Sequence, residues 1–581
     1  MCGIIGTIKH IPNETDFLKA CQSLSHRGPD DSGLFYDGAE QIALGQCRLS
    51  IIDLSADGHQ PFYDASGRYV LVFNGEIYNY IELRDELKNS FSFRTQTDTE
   101  VILAAYLQWG KNCLERFNGM FAFALWDKET RELFCARDRV GIKPFFYTQE
   151  NGGFSFASEI KGLLALGIPK KANESIIFDY LRFGLYDHRS ETFFEGIYSL
   201  PAGHFLTWKN EQVVLEKYWD LGNVKPTTLS DPEIRNHFEF LLSDAVRLQF
   251  RSDVPVGINL SSGLDSNSLL AFGRKAVGDH IHTFSMCLSD EGYNECDIIQ
   301  HYSHLGDKNL WHQSYFEPTD LLTAAREMNK IQDQPYGGIP TIIYTSINKE
   351  AQKQGVTVLL EGQGIDEMLA GYRYYRADYE KDLGKDSTGS LALSQDGSQL
   401  SDSALLSSEF LEKHASTRIE FPKPFSTHLL NAQYRDFVFT KMPRVLRFND
   451  HVSMAYGREL RVPFLDHRIA EFCFSLPPEY KIKGENQKVL MRETMQGQIS
   501  ADLLSAQKKT FGAVQNVWLR YPNYKKEVIE ILHSDSFRSR GYWNYENLMK
   551  RVECFYNNEV DNSFFLWQCI NLELWFREFI D

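Results

Sequence analysis

The chain has no GxxxxGK[ST] phosphate loop, no CxxC pair, no excess of positive charge and no apolar run near the ~18 residues that a membrane helix needs. Each absence closes off a class of function. Lys and Arg number 61 against 78 Asp and Glu, a formal charge of −17, so non-specific nucleic-acid binding is not expected. Without a long apolar run, no membrane-embedded role is expected. The opening MCGIIGTIKH has no basic segment ahead of a long apolar stretch, so no secretory leader is expected. Ten cysteines scattered over 581 residues predict neither a disulfide framework nor a zinc site. Cys21, Cys47, Cys113, Cys135, Cys287, Cys296, Cys473, Cys554 and Cys569 read as small core or surface residues, in keeping with a reducing, cytoplasmic compartment. A chain of this length exceeds a single hydrophobic core, so at least two domains are expected.

What is present starts with Val254–Ser268, VPVGINLSSGLDSNS. It reads as a buried strand entering a Ser/Gly loop and then a helix. The first N–H groups of a helix lack internal partners and its dipole favours an anion there, so this arrangement suits a phosphate. Gly263 permits close backbone approach, Ser261, Ser262 and Ser266 offer hydroxyls, and Asp265 offers a carboxylate for Mg²⁺. An ordinary strand–turn–helix built from small residues is the alternative. The loop resembles the SGGxDS loop of the ATP pyrophosphatases, with Ser262 where that pattern has its first glycine.

Cys2 stands apart from the other nine cysteines. If Met1 is removed, the free α-amine, with a pKa of roughly 8, can take the thiol proton and leave a thiolate nucleophile. Read alone, Cys2 equally well begins a strand, Gly3–Ile8. The segments SHRGPDDSG (Ser25–Gly33), QCRLSIIDLS (Gln46–Ser55), FNGEIYNY (Phe73–Tyr80), TDTE (Thr97–Glu100), RDRVGIKPFFY (Arg137–Tyr147) and LPAGH (Leu200–His204) favour the nucleophile. In order and length they resemble the class II glutamine amidotransferase domain, from Cys2 to about Trp219. The resemblance implies an α+β N-terminal-nucleophile sandwich of two stacked antiparallel sheets. It also implies an oxyanion site at the Asn74 side-chain amide and the Gly75 N–H. An α-amino acid substrate further needs a cation for its carboxylate, for which Arg48 is suited, and an anion for its ammonium, for which Asp98 and Glu76 are suited. Asp98 also fits as a first-turn acid of a helix Asp98–Trp109, with Thr97 and Glu100 as a capping box. Arg137, Asp138, Arg139 and Lys143 read as a structural charge cluster.

Leu221–Leu229 reads as a linker, dividing the chain into domains of residues 1–220 and 221–581. Ser230 or Asp231 then caps a helix running to about Phe250. Beyond it, strands at Ile281–Leu288 and Thr357–Leu360 alternate with helices, the pattern of an α/β parallel sheet whose ligands bind at the carboxyl ends of its strands. LLEGQGIDEMLAGY (Leu359–Tyr372), MPRVLRFNDHVSMAYGRELRVPFLDHR (Met442–Arg468) and QKVLMRE around Lys488 resemble the corresponding blocks of the asparagine synthetases. The chain is thereby identified as a member of the glutamine-dependent asparagine synthetase family, with an ATP-pyrophosphatase second domain. The resemblance implies Mg²⁺-ATP held through Asp265 and Asp366. It places Leu260, Ser261, Ser262, Gly263, Ser266 and Gly362 at the nucleotide, and Lys488 on the phosphates. Met286 is suited to cover the adenine and equally to fill a core. Asp366 and Lys488 have plain readings too, as a helix N-terminal acid and a solvated lysine. The implied reaction joins ATP, glutamine and a carboxylate acceptor, most simply aspartate, through an acyl-adenylate and an apolar interdomain ammonia tunnel. A homodimer is the family-level expectation for assembly.

Two departures bear on the acceptor. Gln363 occupies a position where asparagine synthetases carry glutamate, and Glu361, two residues earlier, replaces a serine. Glu361 substitutes only if the loop turns it inward. The glycines of DQPYGGIPT (Asp333–Thr341) suggest room for an acceptor larger than aspartate, such as a uronic acid. A non-catalytic protein that kept the fold is the reading from another class, and it would show damage at several sites. The stretch Lys385–Ser408 reads as a mobile surface insertion, and the helix Phe564–Phe579 as core packing.

Overall fold

The computed structural model describes residues 2–288, 294–316, 320–385, 402–505, 512–560 and 562–581. Most of the expected insertion, residues 386–401, therefore lies outside the described residues.

The first domain is built on β1 (Cys2–Ile8), β2 (Asp31–Asp37), β3 (Ile42–Arg48), β4 (Phe62–Tyr63), β5 (Tyr69–Ile77), β6 (Gly119–Asp127), β7 (Glu132–Arg137), β8 (Phe146–Glu150), β9 (Gly153–Ala157), β10 (Tyr198–Ser199), β11 (His204–Lys209) and β12 (Gln212–Lys217). They form two six-stranded sheets, ordered β10-β8-β9-β1-β3-β2 and β12-β11-β7-β6-β5-β4. Every pairing is antiparallel. The central strands β1, β3, β5 and β6 are buried on both faces because both faces are covered. Along β5, Val70 and Val72 face the other sheet, while Leu71 and Phe73 face the helix Asp98–Trp109. This is the expected sandwich.

The second domain carries a five-stranded parallel sheet of β13 (Val256–Asn259), β14 (His282–Leu288), β15 (Trp311–Phe316), β16 (Val358–Leu360) and β17 (Glu459–Arg461), ordered β15-β14-β13-β16-β17. The chain builds outward from β13 on one side, then returns to build on the other. The switch in strand order thus falls between β13 and β16, and the loops leaving those two strands flank the crevice. The helix Asp231–Gln249 opens the domain with Ser230 and Glu233 as a capping box and Pro232 in its first turn.

Two expectations need correction. Cys287 and Cys296 are not separate thiols. They form a disulfide that ties the end of β14 to the start of the helix Cys296–Tyr302, with Cα atoms 5.7 Å apart. The two residues are nine positions apart, and the end of the strand lies close enough to the start of the helix for the sulfurs to bond. The Thr97–Glu100 capping box is only half made. Thr97 accepts from the Glu100 N–H, but the Glu100 carboxylate turns to the N–H groups of Arg94 and Thr95.

The domains share their cores. Leu49, Ile52, Met120 and Ile142 of the first domain join Ile258, Leu260, Val462 and Leu465 of the second in one buried cluster. A second cluster places the C-terminal helix Phe564–Phe579 against the first domain, with the Trp575 ring packed on Phe193 and Phe194. Buried charges cross the boundary as well. Arg27 bridges Glu159 at 2.6 Å and Asp450 at 2.9 Å, and Lys143 lies 3.4 Å from Asp450. Arg137 and Arg139 instead hold backbone carbonyls of their own domain. Among the described residues, no helix is long and apolar enough to cross a membrane.

Candidate active site

Two constellations lie on either side of the domain boundary. In the first domain, antiparallel pairing places Cys2 opposite Arg48 on β1 and β3. The Cys2 backbone N–H donates to Asn74 Oδ1 at 3.0 Å, bringing the end of β5 onto the start of β1. Asn74 is fully buried, and its Nδ2 has no partner. A buried amide donor without an acceptor is costly in a resting fold. Here it is aimed from the residue that touches Cys2. Gly75 has φ +148°, and a Cβ there would lie 2.1 Å from the Met120 carbonyl oxygen, so the position requires glycine. Burial pushes the Cys2 thiol up; the amino terminus, the Leu49 N–H and the Arg48 guanidinium pull it back. The thiol therefore needs a base to react.

Arg48 spends part of its fork on the chain itself, donating to the carbonyls of Ser55, Ile52 and Asp53. It holds the 49–55 loop in place while lying beside Cys2. Asp98 is buried, accepts from the Ile77 N–H at 2.9 Å, and has its carboxyl pushed up to about 6, chiefly by burial and also by Glu459. Glu76 is buried more deeply against Glu459 and Asp98 and is raised well above the usual carboxylate range, with Arg461 countering at 3.7 Å. Arg461 and Glu459 come from β17 of the second domain, which thus supplies charge beneath the first domain's pocket. The sequence alone assigns neither residue to this pocket. The available signal is two opposite charges spaced i, i+2 on one short strand, hence on one face.

In the second domain, the loop after β13 meets the loop after β16. Lys488 Nζ lies 2.8 Å and 2.9 Å from the Asp265 oxygens and 2.6 Å from Asp366 Oδ1. The two carboxylates hold the lysine protonated against the cost of its burial. Lys488 has φ +54°, and Gly371 must lack a side chain because a Cβ there would lie 1.9 Å from Asp366 Oδ1 and 2.3 Å from Lys488 Cε. A Cβ on Gly362 would lie 3.1 Å from the Asp265 backbone carbonyl carbon, tighter than ordinary contact. Ser261 and Ser266 hydroxyls lie 2.9 Å apart, Gly263 N–H donates to Ser261 Oγ, and Leu260 N–H donates to Phe284. Ser262 N–H donates to the buried Glu295 carboxylate, a contact that no motif flagged. Met286 is half-buried and packs against the cluster containing Phe284 and Ile347.

Glu361 does turn inward. It is buried at the end of β16, where Asn259 donates at 2.7 Å, Asn449 at 3.2 Å, and the Tyr344 hydroxyl also donates. The Gln363 side chain is a further partner. The room expected from the glycines of 333–341 is taken up by protein. A Cβ on Gly338 would lie 2.4 Å from Gln515 Oε1, and Asp333 is buried against Lys161.

Comparison with known proteins follows this geometry. Residues 1–219 match the family described as Glutamine amidotransferase domain, and residues 237–577 match Asparagine synthase. The chain is 28% identical to Asparagine synthetase [glutamine-hydrolyzing] 1 of Bacillus subtilis, over 99% of this chain and 97% of that protein. It is 30% identical to Asparagine synthetase [glutamine-hydrolyzing] 3 of the same organism, over 92% and 89%. It is 27% identical to Amidase chry2 of Gibberella zeae, over 92% and 90%.

Proposed function

The chain belongs to the asparagine synthase family and carries a glutamine amidotransferase domain ahead of its synthase domain; on that premise we propose that it amidates aspartate to asparagine, with ATP as activator and glutamine as nitrogen source. The domains divide near residue 220. The observation that carries this reading is the presence of two complete constellations in one chain: a buried cysteine beside an unpaired amide donor, and two carboxylates converging on one buried lysine.

The chemistry follows from the residues. With Met1 removed, the α-amine of Cys2 accepts the thiol proton, and the thiolate attacks the carboxamide carbon of glutamine. Asn74 Nδ2 and the Gly75 N–H receive the oxyanion that forms. The remaining N–H donors of Arg48 take the substrate carboxylate, and Asp98, with Glu76 beside it, takes the ammonium. In the second domain, Ser261, Ser262, Gly263 and Ser266 hold phosphate oxygens, with Leu260, Met286 and Gly362 around the nucleoside. Asp265 and Asp366 form a hard-oxygen donor set that fits Mg²⁺. When bound, the ion neutralises phosphate charge. Lys488, now paired with the two acids, is free to turn to the phosphates as charge builds there. Gln363 lines the acceptor end. Ammonia passes between the sites along the apolar cluster that joins Met120 and Ile142 to Leu260 and Leu465.

The test is amide formation followed by mass spectrometry, with glutamine, Mg-ATP and aspartate as sole acceptor. Asparagine, AMP and pyrophosphate are the expected products. Glutamate release without asparagine would rule out aspartate as the acceptor.

Asp98 sets a pH dependence. Its carboxyl, at about 6, is anionic above that pH and neutral below it. An ammonium needs the anion, so KM for glutamine is expected to rise as pH falls through 6, by about tenfold one unit below. Asp98→Asn should flatten the profile, and ammonia-supported synthesis should not show the step. A glutamine KM that is constant from pH 7 to 5 would exclude this role.

A further inference from the structure

We propose that Glu361 is the proton acceptor for ammonia in the amide-forming step, held in place by Tyr344 and two asparagines. This rests on the amidation reading above.

The case begins with position. Glu361 leaves β16 on one side of the strand-order switch, and Asn259, which donates to it, ends β13 directly before the nucleotide loop. Asn449, its third donor, lies on the helix Met442–Ala455. The next residue on that helix, Asp450, pairs with Arg27 and Lys143 of the first domain. Glu361 therefore sits between the nucleotide loop and the helix that faces the first domain.

The environment is that of a working carboxylate. Its contacts are the hydroxyl of Tyr344 and the amides of Asn259, Asn449 and Gln363, which donate without bringing a charge. Asn259 also donates to Tyr344 Oη at 3.0 Å, closing a small ring that fixes the orientation of both. Burial raises the carboxyl, and the four donors pull it back. Burial also holds the Tyr344 phenol well above its ordinary range, so it remains a donor. By contrast, Asp265 and Asp366 face Lys488, and Glu159 and Asp450 face Arg27.

The step balances. The nitrogen lone pair of ammonia attacks the acyl carbon of the carboxylate–AMP anhydride and forms the C–N bond. One N–H proton passes to a Glu361 oxygen. The carbonyl re-forms as the C–O bond to AMP breaks, and AMP leaves with that electron pair. Glu361 returns the proton to solvent as product departs. Gln363 cannot accept this proton. In this assignment it is a donor that helps to hold Glu361.

Glu361→Gln keeps the shape and removes the base. With full-length protein, Mg-ATP and the carboxylate that the unmodified enzyme amidates (aspartate first), amide formation from ammonium chloride should fall about 10²–10³-fold. Hydroxylamine is a weaker base whose adduct sheds its proton more readily, so hydroxamate formation should fall less than about tenfold. Tyr344→Phe should show the same selectivity between nucleophiles with a smaller loss, and melting curves check that both variants fold. Equal loss with both nucleophiles would mark a structural role and overturn the assignment, as would an unchanged rate with ammonia. An unmodified enzyme that forms no AMP with any acceptor would overturn the amidation reading itself.

Discussion

Cys2→Ala is expected to lower glutamine-dependent amide synthesis by about 10³-fold or more, while ammonia-supported synthesis stays within a factor of about three. The asymmetry comes from the fold. Alanine retains the backbone N–H that bonds Asn74 Oδ1, so the end of β5 stays docked on β1 and the pocket keeps its shape. What disappears is the sulfur, and with it the covalent route to ammonia. The nucleotide constellation sits on a different sheet, in the second domain. Parallel assays of glutamate release and of amide formed from ammonium salts check this. Loss of both activities would mean that the glutaminase pocket supports the synthetase fold and is not an independent source of ammonia.

Lys488→Met is expected to reverse the pattern: pyrophosphate release falls about 10²–10³-fold while glutamine hydrolysis persists. Methionine keeps most of the apolar stem in a buried position and deletes the charge. The stability consequence is separate and informative. In the folded chain Lys488 neutralises Asp265 and Asp366 together. Without it two carboxylates face one another, and a buried charge that has lost its partner is strongly destabilising. A cation that binds only the folded form offsets that cost. Added Mg²⁺ should therefore raise the melting temperature of the variant more than that of the unmodified protein. A variant that still releases pyrophosphate at the original rate would remove Lys488 from the chemistry.

Much of the architecture was legible because local signals agreed with one another. The helix Asp98–Trp109 begins at a Thr cap and ends before Gly110, and Phe564–Phe579 follows Ser563; both have the boundaries that their residues suggest. The strand expected at the start of Val254–Ser268 begins two residues later, as Val256–Asn259, because the ladder to β14 and β16 pairs only those residues. Contacts between segments distant along the chain were not legible. Nothing near Glu361 indicates that Asn449 will face it, and nothing near Ser262 points to Glu295. The glycine at 338 looked like space for a ligand, yet Gln515 arrives from far along the chain to fill it. Cys287 and Cys296 looked unrelated because their pairing depends on how the end of β14 lies against the start of the next helix, not on a spacing motif. Site residue types could be read from sequence. Which charges share a buried space was settled by tertiary packing.

The last helix has a further consequence for how this enzyme is built and handled. Gln568 donates to the Tyr180 carbonyl, Trp575 donates to the Asp333 carbonyl and meets Phe193 and Phe194 edge to face, and Arg540 grips Asp581 close behind. This helix is thus packed into the first domain as well as its own. Phe193 and Phe194 of the first domain are thereby covered by residues nearly four hundred positions further along the chain. Cutting the chain after residue 220 would bare these two rings to water, so the first domain's surface is finished by the second domain's helix Phe564–Phe579.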